Sequence, residues 1–506
     1  MPVFAAVDIG ANSVRLKIAR LTRGRLRVEH EDREVTRLGA SVFQSGLLAP
    51  EAMAHTIKVL QRFHRSAQQF ACDAVRVVAT SSLRDAGNSR SFIEWARAAT
   101  GWRVEVISGL EEGRLIHLGI ALNERLTHRR VLMVDLGGGS CEFTISVNDH
   151  IKSISSVPLG AVRLTGEFLK HDPPRKKELA RMREFIEKEL RRVEDKVRGQ
   201  RVQTVIATSG TAAALAAASR ASYGRENRIA TVTVHATTRV AEELAEQTQA
   251  ERAAIQGIGP KRAEIIVAGA AVFAEFMQRF GLRSFRYSPL GLRDGLLAAM
   301  AADYDRGSKS HQLIETDRGD ALLAMAKRYQ VDMKYAERTR DLAVQLFRGL
   351  KRLHGLPQEY EELLAAAAML HEVGAYLNRA GAHRHSFYII KNSEIFGFTP
   401  EQRNLVAVIA RFVGKSKPAP GDRFMKNLLP SDMKPVIICN ALLRLARALN
   451  QGRRSAVTSV RGRVGKDQVT LFARARGGAE LEMWALAKEA SYFRFVFGRT
   501  LSAETS

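Results

Sequence analysis

Two segments of this chain place an aspartate in the same chemical setting. Residues 7–16 read VDIGANSVRL and residues 134–143 read VDLGGGSCEF, so in each an apolar run leads into Asp-x-Gly and a turn of small residues. The aspartates are Asp8 and Asp135. A carboxylate beside a turn of exposed backbone N–H groups can hold both a divalent cation and the phosphates that this cation binds. The pattern therefore indicates phosphate chemistry.

The residues that follow each turn alternate between apolar and polar. The apolar positions share one parity behind each turn, namely Val14, Leu16 and Ile18, then Phe143, Ile145 and Val147. Period two predicts a strand, so each segment is a hairpin and not the strand–turn–helix of a P-loop or dinucleotide-binding motif. One such hairpin would be an ordinary turn as readily as a site. Two at domain spacing favour two related domains that face each other across a phosphate-handling cleft.

Other residues could join these aspartates at a cleft. Glu142 lies on the return strand of the second hairpin, so the fold-back can bring it near Asp135. ISGLEEGRL (107–115) places Glu111 and Glu112 where a strand turns into a helix, although carboxylates there are also plain partners of the helix dipole. Ser209-Gly210-Thr211 follows a predicted strand and opens a helix, which is an anion site in principle or simply a cap.

Length and composition set the class of protein. With 506 residues, of which 45% are apolar, the chain predicts about three globular domains. Its longest apolar runs are too short to span a bilayer, and its three cysteines provide neither a disulfide framework nor a zinc spacing. We expect a cytoplasmic protein without a transmembrane segment.

The net charge is strongly positive and unevenly distributed. The formal charge is +25, of which residues 306–506 carry +14, residues 127–305 carry +6 and residues 1–126 carry +5. Such a surplus attracts polyanions, including nucleic acid, anionic lipid and polyphosphate. The alternative is that the proteome is generally basic and the extra Lys and Arg only solvate the surface.

The intervening sequence predicts the elements that would position these groups. A polar stretch near 304–318 reads as a linker, and helical patterns dominate beyond it to about 450. The predicted helices are 50–70, 89–100, 111–123, 175–198, 261–280, 291–303 and 482–496. The predicted strands besides the hairpins are 25–30, 74–79, 104–107, 202–207, 283–287, 457–464 and 468–475.

Five motifs together resemble one family. VDIGANSVRL, ATSSLRDAGN (79–88), ISGLEEGRL, VDLGGGSCEF and SPLGLRDG (288–295) occur in the order and spacing of the exopolyphosphatase/guanosine pentaphosphate phosphohydrolase family. The resemblance covers nearly the whole chain and is to the family's long form. It implies an α/β fold with two actin-like (ribonuclease H-like) domains, at 1–126 and 127–305, that form a cleft. Residues 311–506 would be a mainly α-helical HD-like region with a small α+β end.

The resemblance also implies roles for individual residues. Glu112 corresponds to the catalytic carboxylate, the general base for a water that attacks a terminal phosphorus. Asp135 and Glu142, with Asp8 close by, match an acidic group that holds Mg²⁺, and a monovalent cation such as K⁺ is a further candidate. The phosphate-binding residues would be Asn12, Ser13, Arg15, Arg84, Asn88, Gly137, Gly138, Gly139, Ser140, Arg262 and Arg293, together with the turn at Gly210 and Thr211.

The chain departs from the family pattern at several positions. Cys141 stands where the family usually has Thr, and Ser209 replaces the first Gly of a GGT turn. In the HD-like region His371 is followed by Glu372 in place of Asp, and Arg447 takes the position of the closing Asp. An Arg cannot hold a cation, so we expect this region to bind no metal. We interpret His385 as structural, and expect the basic region to bind a long polyanion and to contribute to a homodimer.

The leading hypothesis is Mg²⁺-dependent, processive release of orthophosphate from the end of inorganic polyphosphate. Removal of the 5′ γ-phosphate of guanosine pentaphosphate uses the same motifs and stays open, and the charge favours the polymer. From other classes, an ATP-dependent kinase or ATPase would need a catalytic Asp in place of Glu112. A non-catalytic scaffold for polyanions would gain nothing from carboxylates facing its ligand. No feature predicts sequence-specific nucleic-acid binding.

Overall fold

The computed structural model describes residues 1–124, 126, 129–223, 231–419, 421–426 and 428–505. The chain divides into two compact units, Met1–Glu315 and Thr316–Ser506, which we call the N-terminal and C-terminal units. None of the described helices has the length and apolar character needed to cross a bilayer.

The N-terminal unit begins with a sheet whose strand order is β3-β2-β1-β4-β5. Strands β1 to β3 form an antiparallel meander, and β4 and β5 run parallel to β1. The strands are β1 (Val3–Ile9), β2 (Ser13–Thr22), β3 (Arg25–Val35), β4 (Ala74–Ala79) and β5 (Val104–Val106). The helices are α1 (Val42–Ser45), α2 (Pro50–Gln69), α3 (Ser81–Asp85), α4 (Ser89–Thr100) and α5 (Gly109–Asn123).

A second sheet repeats this plan, with the order β10-β11-β9-β6-β7-β8. Its antiparallel meander β6-β7-β8 is extended by the parallel strand β9, as β4 extends the first sheet. The strands are β6 (Arg130–Leu136), β7 (Cys141–Val147), β8 (His150–Val157), β9 (Thr204–Thr208), β10 (Thr231–Thr233) and β11 (Ser284–Tyr287). The helices are α6 (Ala161–Phe168), α7 (Lys176–Arg198), α8 (Ser209–Tyr223), α9 (Val234–Glu246), α10 (Gln249–Ala254), α11 (Ile266–Arg279) and α12 (Leu292–Tyr304). The two predicted hairpins are confirmed as β1-β2 and β6-β7, and the actin-like architecture with them.

Helix α5 joins the two halves of the N-terminal unit through close backbone contacts. A Cβ at Gly113 would lie 2.7 Å from the Ile154 side chain on β8, and one at Gly295 of α12 would lie 1.8 Å from the carbonyl oxygen of Leu115. Glycine is therefore required for this approach. Because α5 is packed against strands on one side and against α12 on the other, its first turn is fixed relative to the second sheet.

The C-terminal unit is mainly helical. Its elements, together with the helix that leads into it, are α13 (Lys309–Arg328), α14 (Met333–Gly349), α15 (Lys351–His354), α16 (Glu359–Leu370), a 3₁₀ helix (Val373–Tyr376), α17 (Ala382–Asn392), α18 (Pro400–Arg411), α19 (Pro430–Ala448), β12 (Val457–Val464), β13 (Gln468–Ala475), α20 (Glu480–Phe497) and β14 (Thr500–Thr505). Strands β12 and β13 are antiparallel, and β14 pairs parallel to β13. The small α+β end that the resemblance implied is therefore present.

Three predicted boundaries were wrong. The stretch 304–318, interpreted as a linker, is helical from Lys309 onward. Residues 79–88, for which no helix was predicted, contain the short helix α3. The helix predicted over 261–280 begins at Ile266. In the first two cases polar sequence concealed helical structure that tertiary packing stabilises, whereas in the third residues 261–265 form turns in place of the predicted helix.

Candidate active site

Three carboxylates meet between the first turn of α5 and the β6-β7 hairpin. One oxygen from each of Glu112, Asp135 and Glu142 lies within 4.8 Å of the others. Glu112 is 6% exposed and Glu142 is 1% exposed, so these charges are removed from water. Such a group of carboxylate oxygens is the donor set of a hard divalent cation.

Strand register places two of these carboxylates side by side. Asp135 ends β6 directly opposite Glu142 at the start of β7. Their outer neighbours in the same row are Thr208 on β9 and Ser156 on β8. Thr208 Oγ1 donates to Asp135 Oδ1 at 2.9 Å, and Ser156 Oγ donates to Glu142 Oε1 at 2.7 Å. The two hydroxyls orient the carboxylates. Neither was predicted, because their role follows from strand register alone.

The two adjacent glutamates at the start of α5 have different partners. Glu111 accepts two hydrogen bonds from the Arg114 guanidinium, both at 2.8 Å. Glu112 faces the acidic cluster, and its Oε2 has no hydrogen-bond partner in the described structure. Ser108 caps the helix by accepting from the Glu111 N–H at 3.1 Å. Helix capping therefore leaves Glu112 available, which local sequence alone could not decide.

Burial and mutual repulsion raise the pKa values of the acidic residues. Burial, then the charges of Glu142 and Asp135, raises the pKa of Glu112 well above its ordinary value. Burial and the Asp135 charge likewise raise the pKa of Glu142, and burial raises that of Asp135 to about 6. Glu142 Oε2, like Glu112 Oε2, is buried without a hydrogen-bond partner. A positive charge at this point would relieve the repulsion and satisfy both oxygens.

The residues paired across the first sheet at the corresponding position include two arginines, where the second sheet has acids and hydroxyls. Asp8 on β1 lies opposite Arg15 on β2, which lies opposite Arg33 on β3. Burial raises the pKa of Asp8, and the charges of Arg15 and Arg293 oppose this rise. Arg33 was not predicted. The feature that could have indicated it is its pairing with Arg15, because like charges opposite one another on adjacent strands are unfavourable unless an anion lies between them.

One cavity of about 610 Å³ connects the acidic and basic rows. Arg262 lies over Gly210, where a Cβ would be 1.9 Å from its Nη2 atom. Burial, together with Arg33 and Arg15, lowers the pKa of Arg262 to about 9, so its charge also needs an anion. The predicted residues that line the cavity are Asp8, Asn12, Ser13, Arg15, Glu112, Asp135, Gly137, Gly138, Ser140, Gly210, Thr211, Arg262 and Arg293.

The turns of the two hairpins meet at this cavity. A Cβ at Gly138 would lie 2.9 Å from the Ala11 side chain and 3.2 Å from the Asn12 nitrogen. Ser209, the departure from the GGT turn, has a left-handed backbone with φ of 85°. That conformation favours glycine, so the serine is strained at this position. Cys141 is fully buried, and burial raises the pKa of its thiol well above the ordinary value.

The structure does not bring four of the predicted residues to the cavity wall. Glu142 is behind the wall but within the acidic cluster. The Asn88 amide exchanges hydrogen bonds with the backbone of Leu48, at 2.9 and 3.0 Å, so it is occupied elsewhere. Gly139 accepts from Arg163 Nε at 2.8 Å. Arg84 donates to the Ile107 carbonyl at 2.8 Å, although its charge lowers the pKa of Glu112.

Comparison with known proteins identifies the family. The family model described as the Ppx/GppA phosphatase family matches residues 17–303, and the model for domain III of that family matches residues 318–490. A guanosine-5′-triphosphate,3′-diphosphate pyrophosphatase from Aeromonas hydrophila is 29% identical over 418 residues, covering 81% of this chain and 80% of that protein. The chain belongs to the Ppx/GppA phosphatase family.

Solved structures agree with this assignment. The Ppx/GppA family member of Aquifex aeolicus is 31% identical with a TM-score of 0.51, covering 60% of this chain and 99% of that one. An exopolyphosphatase from Cytophaga hutchinsonii is 24% identical with a TM-score of 0.56, covering 61% of this chain and 99% of that one, and it supports the fold. This chain is therefore a phosphoanhydride hydrolase, and the kinase and scaffold hypotheses are not supported.

The raised pKa of Asp135 predicts a pH dependence of stability. Its pKa of about 6 exceeds the ordinary value of 3.8, so the folded protein retains a proton that the unfolded chain releases. In chelator-treated protein the free energy of unfolding should fall by up to about 3 kcal/mol as the pH rises from about 4 to about 7. Asp135→Asn should flatten this fall, as measured by chemical denaturation at stepped pH. Asp303→Asn, an exposed aspartate on α12, is the matched control. An unchanged slope in Asp135→Asn would contradict the assignment.

Proposed function

We propose that this chain hydrolyses the terminal phosphoanhydride of inorganic polyphosphate and releases orthophosphate processively, with Mg²⁺ as cofactor. The observation that carries the proposal is the pairing, in one cavity, of a buried acidic cluster with a group of arginines. A phosphate chain with bound cations has the charges that both halves require.

Glu112 serves as the general base. Its raised pKa keeps it basic enough to accept a proton from water, and no hydrogen bond competes for its Oε2 atom. As the water oxygen forms a bond to the terminal phosphorus, Glu112 takes the water proton. The bond from that phosphorus to the bridging oxygen breaks, and orthophosphate leaves a chain that is one phosphate shorter.

Asp135 and Glu142 would hold Mg²⁺, with Asp8 at the edge of the site. The fit rests on the unpartnered Oε2 of Glu142 and on the clustering of carboxylate oxygens within 4.8 Å. When bound, the ion neutralises the charge on the phosphate oxygens and polarises the phosphorus. Thr208 and Ser156 keep the two carboxylates oriented. Each hydroxyl donates to one oxygen of its carboxylate, so the other oxygen can bind the ion.

The basic residues of the cavity favour a polymer. Burial and the Arg15 charge lower the pKa of Arg33, burial and the charges of Arg33 and Arg15 lower that of Arg262, and Lys261 also lines the wall. Several consecutive phosphates would neutralise several such charges at once, in keeping with the net charge of +25. Guanosine pentaphosphate is the second candidate, favoured by the name of the Aeromonas hydrophila relative.

We predict that Glu112→Gln reduces phosphate release by at least about a thousandfold while polyphosphate binding is retained, because the variant lacks only the proton acceptor. Glu111→Gln is the matched control, since Glu111 is paired with Arg114 and is not one of the three clustered carboxylates. Turnover is measured by phosphate release and binding by filter retention of labelled polymer. Equal losses in the two variants would mean that the change acts on helix α5 and not on catalysis.

Substrate choice is tested with long polyphosphate, short polyphosphate, guanosine pentaphosphate and ATP, each with and without Mg²⁺. We predict Mg²⁺-dependent release that is most efficient with the long chain.

Arg33→Gln should raise KM for that chain by about tenfold through the loss of a charge-assisted contact. Arg27→Gln, on the same strand but exposed, should not change KM. Turnover of guanosine pentaphosphate without release from polyphosphate would favour the second candidate.

A further inference from the structure

The C-terminal unit contains a second group of converging basic side chains. The stretch 412–414, directly after α18, receives hydrogen bonds from two arginines of α19. Arg444 Nη1 donates to the carbonyl of Phe412 at 2.8 Å, and Arg447 Nη1 donates to that of Val413 at 2.6 Å. The His383 ring lies against Gly414, where a Cβ would be 2.7 Å from the ring. Residues from α17, α18 and α19 therefore meet at this stretch.

Helix α17 places further positive charge at the same location. Its first turn carries His383, Arg384 and His385 and has no acidic residue. The N-cap residue is Gly381, which offers no side chain to the free N–H groups. The N-terminal end of a helix is already positive, so basic residues there are unfavourable without an anion.

Buried donors without partners point to the missing ligand. Arg411 at the end of α18 is 9% exposed, and its Nε and Nη1 atoms have no hydrogen-bond partner among the described residues. Arg447 Nε is in the same condition, whereas His371 Nδ1 donates to the Ala368 carbonyl and leaves its Nε2 atom as an acceptor. Each orphaned donor costs on the order of 1–3 kcal/mol, and a buried cation costs more. An anion with several acceptor oxygens would satisfy these donors together.

The groups are close enough to affect one another. Burial, then Arg411, Arg384 and Arg447, lowers the pKa of His383. The carbonyl of His371 accepts from Ser386 Oγ on α17 at 2.7 Å, which ties His371 to the helix that carries His383.

Nearby acids do not neutralise the cluster. Glu489 is bound by Arg444 at 2.7 and 2.9 Å, and Glu372 is bound by Arg453. Burial and the Arg384 charge lower the pKa of Arg411, and the Asp422 charge opposes this shift. The Asp422 carboxylate accepts a hydrogen bond from the Phe424 N–H at 2.8 Å. Asp422 offsets part of the charge of Arg411, and the other two acids are engaged by Arg444 and Arg453, so a net positive charge remains among the described side chains.

We propose that Arg411, His383, Arg384 and Arg447, with the first turn of α17, form a binding site in the C-terminal unit for a phosphate-type oxyanion. The ligand chemistry is that of inorganic phosphate or diphosphate, or of the phosphate groups of a nucleotide. Tetrahedral oxyanions suit the site because their oxygens accept from guanidinium groups and from helix N–H groups simultaneously.

Hydrogen exchange of the full-length protein reports on this site separately from the cleft. Exchange is compared in sodium diphosphate and in sodium chloride of equal ionic strength, without divalent cations. At a diphosphate concentration about ten times Kd, we predict about tenfold slower exchange across 382–386. The same measurement with GDP in place of diphosphate tests whether the ligand is a nucleotide. If the base also makes contacts, GDP will give the same protection at a lower concentration than diphosphate.

Arg411→Met tests the assignment because it removes the guanidinium, which lies 5.4 and 5.0 Å from the ring centres of Phe412 and Phe424, while it keeps an unbranched apolar side chain there. The variant should lose the diphosphate-induced protection of 382–386 while retaining any protection in the cleft. It should also raise Tm without ligand, because it removes a buried charge whose Nε and Nη1 atoms have no hydrogen-bond partner among the described residues. Arg461→Met, at an exposed position on β12, is the control and should change neither property. Protection that persists in Arg411→Met, or its absence in the wild-type protein, would overturn the proposal.

Discussion

The buried carboxylates of the N-terminal unit impose the constraint on which the rest of the site depends. Oxygens of Glu112, Asp135 and Glu142 lie within 4.8 Å of one another, and Glu112 and Glu142 are buried. At an effective dielectric of about 20, two unit charges at this distance repel by on the order of 3 kcal/mol. The protein alone can reduce this repulsion only by binding protons, which explains the raised pKa values. A bound cation would allow all three to ionise, and the cation would in turn bring phosphate.

The duplicated sheet gives this constraint its geometry. Equivalent rows cross the two sheets at the ends of their first strands. In the first sheet the strand-end aspartate is followed by Arg15 and Arg33, and in the second it is followed by Glu142 and Ser156. The same backbone position therefore carries an arginine in one half and a glutamate in the other. The two equivalent rows therefore differ in charge: the first suits phosphate and the second suits a cation. Helix α5 adds Glu112 to the second.

The sequence predicted the hairpins because alternation of apolar residues is a local signal, and β1-β2 and β6-β7 lie where it placed them. It could not reveal partners that depend on register, so Thr208, Ser156 and Arg33 were missed. Asn88 lies in a cleft motif, yet its amide binds Leu48, a contact that no local pattern records. Strand β14 was also missed because its parallel pairing with β13 spans the whole of α20. Local periodicity therefore defined the elements, and long-range packing decided which side chains meet.

The central claim is that the buried carboxylates exist to hold a divalent cation. Crystals soaked in Mn²⁺, which replaces Mg²⁺ and scatters anomalously, test it directly. If the carboxylates hold the ion, an anomalous peak will lie about 2.2 Å from oxygens of Asp135 and Glu142, and it will be lost in Glu142→Gln crystals. Active protein that shows no such peak at the cluster, with Mn²⁺ supporting turnover, would contradict the account.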